Sequence, residues 1–123
     1  MVQDNVISKI GSESFHIYAI WEPILKGDSE RSARKAATLF PDERVKNYWV
    51  HTHAVGELFQ APINLKGKPA WDVYLVYEPG IVWDDDVPPE PTFFMHQLSD
   101  RLPDDQRLDG PKLYDVVEKL LQR

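Results

Sequence analysis

The chain has no cysteine. That one absence excludes a disulfide framework, a thiolate metal site, a cysteine nucleophile and dithiol redox chemistry. Long apolar runs are also missing, and none approaches the ~18 residues of a membrane span, so no membrane partner is expected. Met1 to Lys9 holds an acid and no basic stretch, so no secretory leader is expected and the expected location is cytoplasmic. There is no Gly-rich phosphate loop, no G-x-S-x-G and no H-E-x-x-H. Positive charge is in deficit: 14 Lys and Arg stand against 20 Asp and Glu, for a net charge of -6. A surface of that sign repels phosphate backbones, so no nucleic-acid partner is expected. Internal repeats and low-complexity tracts are absent.

What the chain does contain is enough to fold. Its 123 residues include four Trp, five Tyr and five Phe, too many aromatics for a disordered segment. The length suits a single domain over residues 1–123. Five of the ten prolines lie between Pro79 and Pro103, beside Asp84, Asp85, Asp86 and Glu90. This stretch reads as an acidic, Pro-rich insert at about 84–109 within that domain.

Hydrophobic spacing gives the elements. Phe15, Ile17, Ala19 and Trp21 alternate with His16, Tyr18 and Ile20, and both sets are largely apolar. A strand apolar on both faces belongs in the middle of a covered sheet. Ala33, Ala36, Ala37 and Phe40 recur at helical spacing over 29–40, with Asp28 as the expected N-cap and Pro41 as the stop. Residues 44–50 predict a short strand, and 53–60 a short helix capped by Thr52. Residues 71–77 are the strongest strand, being rich in β-formers. Pro79-Gly80 predicts a turn. Ile81 to Trp83 then begins a returning strand, and 92–98 is a further extended segment. Leu113, Val116, Val117, Leu120 and Leu121 mark a closing amphipathic helix with Pro111 in its first turn.

The order is β-α-β-α-β-β-α, an α/β fold with a mixed sheet flanked by helices on both faces. Several segments carry a resemblance. Ala19-Ile20-Trp21-Glu22-Pro23 leads from a first strand into a loop and helix. Pro69-Ala70 stands just before the strongest strand. Glu78-Pro79-Gly80 follows that strand, and the chain ends on an amphipathic helix. On these features the chain, over roughly residues 14–123, resembles the thioredoxin-like family, as a variant without the redox-active dithiol. The resemblance implies a cis-proline at Pro69 facing the 22–28 loop, and an edge that grips an extended peptide.

The expected function is therefore a redox-inactive thioredoxin-like domain that binds a protein or peptide. Trp21, Glu22, Asp28, Lys68, Pro69 and Trp71 are the candidate contacts. Core packing of both Trp side chains is the competing reading of those positions. No cofactor is expected. The alternative function is a small metal-dependent or acid/base enzyme built on His51, His53, His96 and nearby carboxylates. In it, His51 and His53 share a strand face and His96 serves as general base. A third possibility is a dimer-forming structural subunit. Asp84-Asp85-Asp86 lacks the spacing of a calcium loop and reads as a solvated acidic turn. Asp72, inside an apolar strand, calls for a partner and reads as a paired acid near a strand end.

Overall fold

The computed structural model describes residues 2–23, 28–98 and 101–122. The chain forms two compact units, Met1–His53 with Gly110–Arg123, and Ala54–Asp109.

In the first unit, β1 (Ile17–Trp21) pairs in parallel with β2 (Val45–Trp49), Ile17 opposite Val45 and Trp21 opposite Trp49. The crossover between them holds a helix, Glu30–Ala37. A short helix, Val2–Asn5, precedes β1 and was not expected from the sequence. Numbering helices in chain order, these are α1 (Val2–Asn5) and α2 (Glu30–Ala37). Ser29, not Asp28, caps α2: the Ser29 hydroxyl accepts from the Ser32 N–H at 3.1 Å, and the Ser32 hydroxyl accepts from the Ser29 N–H at 2.8 Å. This reciprocal box satisfies free amides of the first turn from one residue later than the expected cap.

Val6, Ile7 and Ile10 follow α1 and are buried. Arg44 fastens this N-terminal segment. Its guanidinium donates to the carbonyls of Ile7 (2.9 Å), Ile10 (2.6 Å) and Ser12 (2.9 Å), grips the Asp42 carboxylate, and lies over the Phe15 ring.

Two further helices among the described residues are α3 (Ala54–Leu58) in the second unit and α4 (Gly110–Leu121) in the first. On α4, Leu113, Val117 and Leu120 are buried at i, i+4 and i+7, the core of the expected stripe. Its first residue, Gly110, approaches α1 so closely that a Cβ there would sit 2.7 Å from the Asn5 Cβ.

In the second unit, β3 (Val73–Val76) pairs antiparallel with β4 (Phe93–His96), Val73 opposite His96 and Val76 opposite Phe93. Ile63, Leu65, Ala70, Leu98 and Leu102 form its buried core, with Phe59, Trp71, Val73, Leu75 and Phe94 packed against them. The returning strand is thus Phe93–His96, not Ile81–Trp83. The Pro79-Gly80 turn does form, with Gly80 at φ +92°. The acidic run and Pro88-Pro89 then supply repulsion and missing N–H groups in place of a ladder. The loop closes at its base, where the Thr92 N–H donates to the Val76 carbonyl at 2.8 Å.

The result is a mixed α/β fold in the expected element order, but not one mixed sheet. The strands form two separate two-stranded sheets. Residues 107–108 occupy the far edge of β4, through an Arg107 bridge to His96 and a Leu108 N–H bond to the His96 carbonyl. Nor is β1 a central strand: Tyr18 and Ile20 are 63% and 42% exposed.

The expected cis-proline is absent as well. Among the described residues no peptide bond is cis, so Pro69 is trans. The Ala70 N–H donates to the Gly56 carbonyl, and the Lys68 carbonyl accepts from the Gln60 amide. These bonds hold the Pro69 segment in its place within the second unit.

Candidate functional site

The six sequence-derived contact residues divide between the units. Trp21, Glu22 and Asp28 belong to the first, and Lys68, Pro69 and Trp71 to the second. Trp21 is half-buried. Its Nε1–H donates to Asn47 Oδ1 at 2.9 Å, a diagonal bond across the β1–β2 ladder, and its ring lies 6.4 Å from that of Phe40. Trp71 packs on the core of the second unit, Lys68 is exposed and Pro69 is half-buried. Each Trp therefore has a packing role inside its own unit.

His51 and His53 belong to the first unit and His96 to the second. β2 ends at Trp49, so His51 and His53 lie beyond the strand and its alternation does not align them. His51 Nδ1 accepts from Trp49 Nε1–H at 3.0 Å, and His53 Nε2 lies 2.8 Å from the Pro23 carbonyl. His96 sits in the other unit and is fully buried. Its Nε2–H donates to the Pro103 carbonyl at 2.7 Å, and its Nδ1 accepts from the Leu98 N–H at 3.1 Å. A neutral imidazole has one donor and one acceptor, and both are used, so His96 is a structural pin with no lone pair left for a metal or a substrate proton. Among the described residues no three His, Asp or Glu side chains stand close enough to hold a metal ion.

Asp72 is a paired acid at the entry to β3. Its backbone takes φ +53°, a region costly for most side chains but more open to Asp. Its carboxylate accepts from Tyr74 Oη–H at 2.8 Å. With its amide nitrogen turned toward Asp72, Gln97 donates to both carboxylate oxygens at 2.9 and 3.1 Å. Burial, then the hydrogen bond from its hydroxyl to Asp72, holds the Tyr74 phenol well above the usual tyrosine range.

Two exposed apolar surfaces escaped the sequence reading. The first is in the 77–92 loop. Trp83 is 48% exposed yet fixed in orientation: its Nε1–H donates to the Asp85 carbonyl at 2.6 Å, and its ring stands edge-on to Phe59 at 5.7 Å. Val82 and Val87 are exposed beside it. The loop is tied at its ends by Tyr77 Oη–H to the Pro89 carbonyl and by the Glu78 N–H to Thr92 Oγ1. No Lys or Arg occurs from residue 69 to residue 100. The signal for this surface was present, as Val-Trp placed directly before three Asp in a stretch read as the start of a strand. The second surface is the outer face of the first unit's sheet, where Tyr18, Ile20, Lys46 and Tyr48 are all exposed.

An open depression of about 460 Å³ also lies in the second unit, floored by Ile63, Phe94 and Leu102 and rimmed by Glu90 and Arg101. Its rim carries both charge signs, and Arg101 donates to the Lys66 carbonyl. No helix among the described residues is long and apolar enough to cross a membrane.

No protein-family model matches this chain, and neither a curated protein nor a solved structure resembles it closely enough to count as a match.

Proposed function

We propose that this chain is a non-catalytic protein-binding module, and that the Trp83 loop is its principal contact. The observation that carries this reading is a large aromatic side chain held half-exposed by a ring contact and a hydrogen bond. Ordered Trp residues are frequent binding hot spots because little side-chain entropy remains to be lost on contact. The surrounding charge selects the partner class. Asp84, Asp85, Asp86 and Glu90 around exposed Val82, Trp83 and Val87 suit a basic peptide segment that also carries an apolar anchor.

A redox-inactive thioredoxin-like domain is the narrower form of this reading. It rests on the element order and the closing amphipathic helix. The two separate sheets and the trans Pro69 depart from that pattern. Trp21, Glu22, Asp28, Lys68, Pro69 and Trp71 remain candidate contacts within it, tested by Trp21→Ala and Pro69→Ala.

A peptide array separates the possibilities. Basic peptides with an aromatic or aliphatic anchor should be retained over acidic peptides of equal length, and less so at high salt. Trp83→Ala should weaken retention by about tenfold or more, as a hot-spot truncation does, while Lys119→Ala leaves it unchanged. Equal retention by the Trp83→Ala protein would refute the assignment.

A further inference from the structure

β1 is written as a central strand but stands at an edge. Its five residues, Ile-Tyr-Ala-Ile-Trp, are uncharged and apolar on both faces. They include none of the devices that usually protect an edge, such as a Lys, a Pro or a bulge. A parallel ladder draws its bonds from alternate residues of each strand. Here the Ile17 N–H donates to the Arg44 carbonyl and the Trp21 carbonyl accepts from the Val50 N–H, so the odd residues of β1 face β2. The amides and carbonyls of Tyr18 and Ile20 therefore point to the open side. Among the described residues no strand pairs there.

We infer that a second copy of this chain occupies that edge, β1 against β1 in antiparallel fashion about a two-fold axis at Ala19. The register follows from the residues. It places Tyr18 opposite Ile20 of the second copy, twice over, with each pair exchanging main-chain hydrogen bonds and an aromatic side chain meeting a β-branched one. Moving the axis to Tyr18 would set His16 against Ile20. Moving it to Ile20 would set Tyr18 against Glu22. Of these three, the Ala19 register alone pairs both outward apolar residues of β1 with apolar residues.

Pairing turns two two-stranded sheets into one of four strands, a size at which sheets become stable, and makes β1 the central strand its sequence describes. It also gathers Tyr18, Ile20, Lys46 and Tyr48 of both copies onto one continuous face. This assembly does not depend on the Trp83 loop, so either proposal can fail without the other.

The cysteine-free sequence supplies a direct test. Residues 19 of the two copies form a non-hydrogen-bonded antiparallel pair, with a Cα separation of about 4.5 Å, inside the range a disulfide spans. Ala19→Cys should give a disulfide-linked dimer under mild oxidation, and Ile17→Cys, which faces Trp21 of the second copy, should not. Sedimentation of the unmodified chain should show a concentration-dependent dimer. Ile20→Pro, which removes an outward N–H but no ladder bond, should leave a folded monomer by circular dichroism. A chain that stays monomeric at every concentration would overturn the inference. So would a dimer that persists in Ile20→Pro, or one in which Ala19→Cys fails to cross-link.

Discussion

Arg44 organises the first unit through a single side chain. It answers three carbonyls that no regular element satisfies, and its fork matches Asp42. Arg44→Ala should cost roughly 3 kcal/mol in urea denaturation, since several bonds to a charged donor are lost and their acceptors are left behind. Arg44→Lys should recover only part, because an ammonium cannot reproduce the fork. Asp42 carries a pH signature. Its hydrogen bonds to the Arg44 side chain and backbone lower its carboxyl from 3.8 to about 2. A depressed carboxyl stabilises the fold at pH above its unfolded value, and that contribution fades as pH falls from about 4 through 2. An NMR titration should find the Asp42 midpoint near 2 and return it toward 3.8 in Arg44→Ala.

His96 plays the matching part in the second unit. His96→Ala would open a cavity and orphan the Leu98 N–H, while the Pro103 carbonyl keeps its bond from the Gln106 N–H. A loss of about 3 kcal/mol or more in denaturation is expected. Neither residue's role could be read from the sequence, because every partner but the Asp42 carboxylate is a backbone atom, and sequence patterns say nothing of where carbonyls point.

At the scale of elements, local chemistry was largely legible. Ser29 to Phe40, the strand over 44–50 and the Leu113 stripe were all signalled by spacing, and all formed near the expected bounds. The errors were local competitions. A serine pair displaced Asp28 as the cap. Ile81-Val82-Trp83 looked like a strand by composition, but acids and prolines after it denied it a partner. The Val6, Ile7 and Ile10 cluster carries no periodic signal, because its helix is a single turn, too short for periodicity to register. One packing consequence is sharp. Gly110→Ala should destabilise the first unit by about 1–3 kcal/mol through collision with Asn5. The double change with Asn5→Gly, which removes the opposing Cβ, should recover much of that loss in the same denaturation assay.

For the whole molecule, element order was legible and strand pairing was not. A right order fixes which strands exist, but edges are chosen by long-range contacts that leave no periodic trace. Hence one expected four-stranded sheet became two pairs, and the apolar β1 came to lie on an edge. Charge is divided unevenly between the units: Ala54 to Asp109 holds eleven acids and four bases, while the first unit is nearly balanced. The binding reading taken from the sequence places its contacts around Trp21 and Trp71, and the one proposed from the structure places them at Trp83. The Val-Trp pair before three Asp marks the Trp83 surface by composition, but the exposure of an aromatic is a property of the fold and not of the residue.

Amide hydrogen exchange at two protein concentrations tests the open, self-complementary edge of β1 most directly. The Ala19 amide, bonded within the ladder, should be protected at both. The Tyr18 and Ile20 amides should exchange rapidly in dilute solution and become protected when the protein is concentrated. Rapid exchange of those two amides at every concentration would contradict self-pairing, and protection at every concentration would contradict the open edge itself.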